Sequence, residues 1–317
     1  MTKPTPPTPP TGSAPPLDAL LRRADRLLAR LETLLPAPPA PPDWSASIAF
    51  RYRKRPSGAF GAGGGVLVPV RRVAPIDFDD LKEIEPQKER LRANTAQFVA
   101  GRSANNLLLT GARGTGKSSL IKACLHAFAP QGLRLIEVDK ADLVDLPEIV
   151  DLIGGRPERF IVYCDDLSFD EGEAGYKALK SMLDGTVSAT ADNVLVYATS
   201  NRRHLLPETM EENLAATHGE NGELHPGEAV EEKISLSERF GLWISFYPFS
   251  QAEYLAIVGQ WLRHFGLGAG AIEGLRGEAL VWALERGSRS GRVAHQFARD
   301  RAGRQVAAGD DGAGARR

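Results

Sequence analysis

Short runs of apolar residues alternate with longer amphipathic stretches through the middle of the chain. The apolar runs lie at residues 106–110, 133–138, 160–164, 194–198 and 242–246. Between them, apolar residues recur every three or four positions, which is typical of helices. Continuous apolar strands separated by helices are characteristic of a parallel sheet that is covered on both faces. The pattern therefore predicts an α/β domain built around a parallel sheet.

The two ends of the chain follow different patterns. Leucines and alanines recur at three- and four-residue steps over residues 17–35 and predict one amphipathic helix between proline-rich stretches. Helical patterns cover residues 251–265, 272–286 and 291–307. We therefore divide the chain into a disordered tail (1–16), an amphipathic helix with a proline-rich linker (17–43), a small N-terminal segment (44–75), an α/β domain (76–250), a helical lid (251–307) and a second disordered tail (308–317).

Composition and charge bear on the cellular location of the protein and on its partners. The 317 residues carry a net charge of −1, which provides no long-range attraction to nucleic acid or to a membrane surface. No apolar run approaches the roughly 18 residues of a membrane-spanning helix, and the amino terminus has no signal-peptide pattern. The two cysteines, Cys124 and Cys164, lie in apolar segments and do not form a disulfide framework. We expect a cytoplasmic protein that does not enter a membrane.

One local basic patch is an exception to this neutral balance. Residues 51–55 are Arg51, Tyr52, Arg53, Lys54 and Arg55. Basic side chains interleaved with an aromatic ring can bind a nucleic-acid backbone. A solvated loop or an edge strand is the commoner explanation, so a nucleic-acid partner remains an alternative at this patch.

A glycine-rich motif follows the first apolar run of the α/β domain. It matches the pattern G-x-x-x-x-G-K-[ST], with an apolar run before it and a helical stretch after it. Glycines let successive backbone N–H groups turn toward one anion, and the start of the helix adds its dipole. We expect Lys117 to neutralise the phosphates of ATP and Ser118 to ligate Mg²⁺. The predicted binding residues are Gly111, Ala112, Arg113, Gly114, Thr115, Gly116, Lys117, Ser118 and Ser119.

An acidic pair follows the apolar run at 160–164. The carboxyl ends of parallel strands are where ligands bind in open sheets. We expect Asp165 to hold Mg²⁺ through water and Asp166 to orient or deprotonate an attacking water. A pair that only caps the next helix is the alternative. The base in such sites is usually Glu, one methylene longer than Asp, and Glu171 is a second candidate for it.

Three further polar residues complete the predicted site. Asn201 follows the strand at 194–198 and is expected to position the water, unless it only forms a turn. Arg239 lies far along the domain and is expected to reach the site of a neighbouring subunit, the alternative being a structural salt bridge. Arg292 opens the last helix and is expected to contact the γ-phosphate, a role that Arg289 could also fill.

In this order, the motifs resemble the AAA+ superfamily. The strings at 111–119, 165–169, 199–205 and 236–243 are similar to one uncharacterised bacterial branch, known only as domain of unknown function 815. The resemblance covers residues 76–300 and implies an AAA+ core with five parallel strands, a helical lid and ATP hydrolysis at subunit interfaces. It assigns Lys117 and Ser118 to Walker A, Asp165 and Asp166 to Walker B, Asn201 to sensor 1, Arg239 to the arginine finger and Arg292 to sensor 2.

Two functions follow from these predictions. The first is a homo-oligomeric ATPase, with Arg239 acting in trans, that remodels or loads an unidentified macromolecular partner. The alternative is an ATP-dependent switch or scaffold that hydrolyses ATP slowly or not at all, and a small-molecule kinase ranks third. The glutamate-rich stretch at 208–232 is expected to be a disordered surface loop, or else a loop that orders when a subunit or partner docks.

Overall fold

The computed structural model describes residues 17–34, 41–55, 64–169, 173–184, 192–202, 217–218, 224–225 and 236–313. The chain divides into two compact units, residues 1–41 with 55–64 and residues 42–54 with 65–317. The first unit contains helix α1 (Leu17–Leu34). The predicted tail at 1–16 and the linker at 35–40 lie outside the described residues.

A seven-stranded sheet forms the centre of the second unit. Its strands are β1 (Ala49–Lys54), β2 (Gly65–Pro69), β3 (Leu107–Gly111), β4 (Leu133–Glu137), β5 (Arg159–Cys164), β6 (Val194–Ser200) and β9 (Leu242–Phe246). They lie in the order β2-β1-β4-β5-β6-β3-β9. All neighbouring strands run parallel except β1 and β2, which are antiparallel. The five apolar runs found in the sequence form the block β4-β5-β6-β3-β9, in the AAA+ strand order.

The predicted number of five strands is wrong because the N-terminal segment adds β1 and β2 to the sheet. In β1, Phe50 and Tyr52 are buried, while Arg51 and Arg53 project from the other face. This alternation is the signature of a strand with one buried face. Of the explanations open for residues 51–55, the structure shows a strand, and this strand pairs on both sides.

The surroundings of Tyr52 also bear on the predicted nucleic-acid patch. Tyr52 is 3% exposed, and its hydroxyl donates to Asp145. Lys54 pairs with the same carboxylate, and Arg51 pairs with Glu137 of β4. The aromatic ring that could have stacked on a base is therefore part of the protein core.

Helices cover both faces of the sheet. Helices α2, α3, α6, α8 and α9 share a hydrophobic core with one face, and α4 and α5 share a second core with the other. The helices are α2 (Glu85–Val99), α3 (Lys117–Phe128), α4 (Leu146–Ile153), α5 (Ala174–Asp184), α6 (Gln251–His264), α7 (Ala269–Gly274), α8 (Arg276–Glu285) and α9 (Gly291–Ala313). No described helix is long and apolar enough to cross a bilayer.

The C-terminal helices differ in detail from the predicted pattern. The stretch predicted as one helix at 272–286 is divided between α7 and α8, with a junction at Leu275 beside Gly274. Glycine is a common site of such breaks. Helix α9 continues to Ala313, past the predicted end at residue 307. The last four residues, 314–317, lie outside the described part of the chain.

The glutamate-rich insertion is described at only two places. Thr217–His218 and Leu224–His225 form the short strands β7 and β8, which pair antiparallel to each other. The rest of residues 208–232 lies outside the described residues, as does Glu171, the second candidate for the base.

Candidate functional site

The predicted site residues follow three neighbouring strands. In the sheet, β6 lies between β5 and β3, and all three run parallel. Their carboxyl ends therefore open onto the same edge. Gly111 ends β3, Asp165 directly follows β5, and Asn201 directly follows β6. Sheet topology thus brings together residues that lie 90 positions apart in the sequence.

The loop between β3 and α3 depends on its glycines. Gly111, Gly114 and Gly116 have φ angles of 127°, 74° and 101°, a region that other residues rarely adopt. A side chain on Gly111 would overlap the carbonyl oxygen of Phe246 on β9. A Cβ on Gly114 would lie 2.9 Å from the side chain of Ser290. The loop therefore packs closely against both the sheet and the C-terminal helices.

Lys117 begins α3 and folds back into this loop. Its ammonium donates to the carbonyl oxygens of Gly111 and Ala112, at 2.7 and 2.8 Å, and to Oδ1 of Asn201 at 3.0 Å. The residue is only 6% exposed, and burial lowers the pKa of Lys117 to about 8 despite the nearby acids. A buried cation held only by neutral oxygens is well suited to an anionic ligand.

Asp165 is held as a carboxylate beside Ser118. Its Oδ1 accepts from the Ser118 hydroxyl at 2.8 Å and from the Thr199 hydroxyl at 2.6 Å. Burial raises the pKa of Asp165, but hydrogen bonding to Thr199, Tyr163 and Ser118 outweighs burial and lowers the pKa overall. Mg²⁺ prefers such hard oxygen donors and usually takes one or two carboxylates together with substrate phosphates. The donor set of Ser118 and Asp165 therefore fits Mg²⁺.

Asp166 points into the same cavity from a left-handed backbone conformation, with φ of 53°. Its backbone N–H donates to the Thr199 hydroxyl at 2.9 Å. Its carboxylate accepts from the Asn201 amide and lies 4.0 Å from the Arg113 guanidinium. Because Asn201 contacts both Lys117 and Asp166, hydrogen bonds link the glycine-rich loop at 111–118, called the phosphate loop below, directly to the acidic pair Asp165 and Asp166.

The two remaining arginines differ in their relation to this network. Arg292, in the first turn of α9, lines the cavity close to Gly114. Arg289, the alternative, does not line it. Arg239 also lies away from the cavity and forms an ion pair with Asp184 at the end of α5. The structure therefore brings Asp165, Asp166, Asn201 and Arg292 together with the glycine-rich loop, and it places Arg239 elsewhere on the same chain.

The cavity also has an apolar part that the sequence did not predict. It measures about 680 Å³. Its polar side holds the residues above, and its other side is lined by Ile76, Leu81, Ile84, Phe249, Ile257, Trp261 and His295. These residues come from three distant segments, and most of them match the pattern of ordinary core positions. Only the tertiary fold shows that they share a cavity.

Two aromatic side chains define one wall of the apolar part. The rings of Trp261 and His295 meet edge to face at 4.6 Å. Burial, together with the charges of Arg299 and His264, lowers the pKa of His295 below its ordinary value. At neutral pH, the ring is therefore uncharged and presents one donor and one acceptor nitrogen.

Comparisons with solved structures give distant likenesses. The Thermotoga maritima RuvB Holliday junction branch migration motor is 14% identical, with a TM-score of 0.45 over 72% of this chain. The FIGL-1 AAA domain in complex with ADP is 17% identical, with a TM-score of 0.48 over 75% of this chain and 76% of its own. The Escherichia coli MS115-1 HORMA:CdnC:Trip13 complex is 14% identical, with a TM-score of 0.44 over 70% of this chain and 89% of the matched chain.

The chain spans 64% of the RuvB motor, which is less than two thirds of its length. No curated protein sequence matches the chain. A family match, in contrast, extends over residues 46–305, from the start of the sheet to the last helix. The five core strands and the glycine-rich loop at their carboxyl edge have the arrangement that the resemblance to the AAA+ superfamily implies. The chain belongs to the family described as protein of unknown function (DUF815).

Proposed function

We propose that the protein binds ATP with Mg²⁺ and hydrolyses it as a AAA+ ATPase. One observation carries this proposal. Lys117, Asn201 and Asp166 form one hydrogen-bonded chain, and Ser118 and Asp165 form a second beside it, all at the mouth of one cavity. A cation, a pair of metal ligands and a carboxylate that can contact water are the groups that phosphoryl transfer to water requires.

The two parts of the cavity match the two parts of a nucleotide. The triphosphate would lie on the loop at 111–118, where backbone N–H groups and the start of α3 favour an anion. The adenine ring of the nucleotide would lie in the apolar part, between the segment at 76–84 and the wall formed by Trp261 and His295. A volume of about 680 Å³ is in the usual range for a cofactor site.

Hydrolysis would require a rearrangement of the existing network. Bound Mg²⁺, held by Ser118 and through water by Asp165, would supply charge neutralisation at the phosphates. Lys117 would exchange its oxygen partners on Gly111, Ala112 and Asn201 for phosphate oxygens, which frees Oδ1 of Asn201. Asn201 would then turn toward the γ-phosphate and withdraw its NH2 group from Asp166. The freed Asp166 carboxylate can accept a hydrogen bond from water and take its proton.

Oligomerisation is part of the proposal. Arg239 pairs with Asp184 and does not line the cavity of its own chain. We assign it to the cavity of a neighbouring copy, where its charge would stabilise the transition state.

Arg292 would contact the γ-phosphate from α9. The substrate is an unidentified macromolecule that is remodelled or loaded. The free, buried thiols of Cys124 and Cys164 accord with our assignment of the protein to the cytoplasm.

Phosphate release by the purified protein, with ATP and Mg²⁺, tests this function. The Asp166→Asn variant should lose turnover by about 100-fold or more, because a general base contributes that much, while ATP binding is retained. Asp151→Asn, an exposed position on α4, is the matched control and should behave like wild type. Unchanged turnover in Asp166→Asn would remove the base from the mechanism.

A second function, an ATP-dependent switch, is favoured by one feature of the site. Asp166 is shorter than the usual Glu, and Asn201 and Arg113 already engage its carboxylate. If these contacts persist with ATP bound, the nucleotide would stabilise a partner-binding conformation without being consumed. Tight ATP binding by the wild type with no phosphate release at any protein concentration would establish the switch over the ATPase.

A further inference from the structure

Helix α1 is amphipathic, but its apolar side is exposed. None of its described side chains, those of residues 17–30, is buried. Five large apolar side chains are between 49% and 72% exposed: Leu17, Leu20, Leu21, Leu27 and Leu28. In proteins, most of the stability of a helix comes from the packing of its apolar side. The leucines of α1 therefore form a surface that is suited to a partner.

These leucines follow a seven-residue repeat. With Leu17 at position a of the heptad abcdefg, apolar residues occupy every position a, d and e of the helix. A two-stranded coiled coil needs only positions a and d, which form a narrow seam. The apolar stripe of α1 is wider, so it can contact one neighbouring helix on each side. The repeat therefore fits a bundle of more than two helices.

The two borders of the apolar stripe carry opposite charges. Position e is apolar here, so position b borders the stripe on that side, and Asp18 and Asp25 occupy it. Position g borders the stripe beside position d, and Arg23 and Arg30 occupy it. A helix that lies on a membrane surface is instead rich in Lys and Arg over its polar face. One acidic and one basic border favour contact with helices that carry the same pair of borders.

We propose that the α1 helices of neighbouring copies of this chain associate in a parallel bundle. In a parallel arrangement with rotational symmetry, the acidic border of each helix faces the basic border of the next. In an antiparallel arrangement, like borders would face each other and repel. The leucine stripes then share a core in the middle of the bundle. The inference does not depend on the proposed ATPase activity, because every residue that lines the nucleotide cavity belongs to the other unit.

Sedimentation velocity of the full-length protein, in EDTA and without nucleotide, tests this interface. Wild type should associate reversibly, with a sedimentation coefficient that rises with protein concentration. In Leu20→Ala/Leu27→Ala, the dissociation constant should rise by at least about 100-fold, because each helix loses most of two buried apolar side chains. Alanine favours the helical conformation, so α1 itself should persist.

Arg22→Ala/Arg26→Ala is the matched control, because both exposed positions lie on the side of α1 opposite the stripe. This variant should associate as wild type does. Unchanged association of Leu20→Ala/Leu27→Ala would overturn the proposal, as would a wild type that stays monomeric. Binding of that monomer to phosphatidylserine vesicles would assign the stripe to a membrane surface instead.

Charge reversal tests the parallel arrangement. Arg23→Glu/Arg30→Glu makes both borders acidic, so association should weaken by about tenfold through like-charge repulsion. Adding Asp18→Arg and Asp25→Arg exchanges the two borders and should recover most of the wild-type affinity. An antiparallel bundle would respond differently, because like borders face each other before and after the first reversal. Unchanged association after the first reversal, or no recovery after the second, would contradict the parallel bundle.

Discussion

At the scale of single residues, one hydroxyl organises both acids of the site. Thr199 is fully buried near the end of β6. Its oxygen accepts from the backbone N–H of Asp166 and its hydrogen is donated to Asp165. Each acid thereby gains one hydrogen bond from the neighbouring strand. The left-handed backbone conformation of Asp166 is supported by the same contact.

Replacing Thr199 by Val should therefore affect both acids. The variant keeps the shape of the side chain, but it leaves the Asp166 N–H without its acceptor and removes one of the donors to the Asp165 carboxylate. We expect unfolding free energy to fall by about 1–3 kcal/mol in urea titrations. Thr199→Ser retains the hydroxyl and should lose much less. No loss of stability in Thr199→Val, or a larger loss in Thr199→Ser, would show that the methyl group, and not the hydroxyl, stabilises this part of the fold.

Some site residues could be predicted from the sequence and others could not. Lys117 and Ser118 belong to a continuous motif whose local backbone creates the site, so their roles follow from spacing alone. Thr199 acts across the ladder between β5 and β6. Its importance depends on strand register, which the sequence does not specify. Asn201 could be predicted because it directly follows a recognisable strand.

At the scale of secondary-structure elements, the phosphate loop depends on close contact with β9. Gly111 lies directly opposite Phe246 in the parallel ladder, and its φ of 127° turns the chain away from the strand. Any side chain at this position would meet the Phe246 carbonyl oxygen. The contact is between backbone atoms, so rotation of a side chain cannot relieve it.

Gly111→Ala should consequently be more disruptive than other glycine substitutions. Gly132 also has a positive φ, 92°, but open space around its Cα, so Gly132→Ala should cost only about 1 kcal/mol of backbone strain. We expect Gly111→Ala to cost at least about 3 kcal/mol, since overlap adds to strain. Urea unfolding of both variants measures the difference. Similar losses would mean that the loop can move away from β9.

Sequence patterns identify the central strands and leave residues 51–55 open between a basic patch, a solvated loop and an edge strand. The five central strands are continuous apolar runs because helices cover both of their faces. Strand β1 has one buried face, and the arginines on its other face are compatible with each of these explanations. The junction between α7 and α8 was also missed, because the apolar spacing continues across Leu275.

At the scale of the whole molecule, the proposed role of Arg239 requires a second copy of the chain. Its guanidinium pairs with Asp184, and Gly241, two positions later, packs closely against Asn105. The turn is thus fixed against its own domain while the arginine stays clear of the cavity. An assembled ring would have to exchange the Asp184 contact for one with a neighbouring nucleotide.

Mixing two inactive variants tests whether Arg239 acts in trans. Arg239→Ala keeps an intact phosphate loop, and Lys117→Ala keeps an intact Arg239. Each alone should show little phosphate release, whereas the mixture should recover part of the wild-type rate at interfaces that combine the intact halves. Full activity of Arg239→Ala alone, or no recovery despite demonstrated subunit exchange, would contradict the trans assignment.

The apolar part of the cavity shows what the whole fold adds. Residues from the segment at 76–84, from α6 and from α9 converge on it. In the sequence, these positions belong to ordinary amphipathic patterns. The glycine-rich, polar part of the cavity could therefore be predicted, and its apolar part could not. A motif encodes a local backbone, whereas a cavity wall requires the final packing of distant elements.

The central claim is that the loop at 111–118 binds a nucleotide triphosphate, and equilibrium binding of ATP with Mg²⁺ tests it most directly. Wild type should bind one ATP per chain. Lys117→Ala should bind about 100-fold more weakly, equivalent to about 2.7 kcal/mol, because a charged hydrogen-bond donor to the phosphates is lost. Lys177→Ala, an exposed position on α5, should bind as wild type does. Absence of binding in wild type, or equal affinity in Lys117→Ala, would contradict the account.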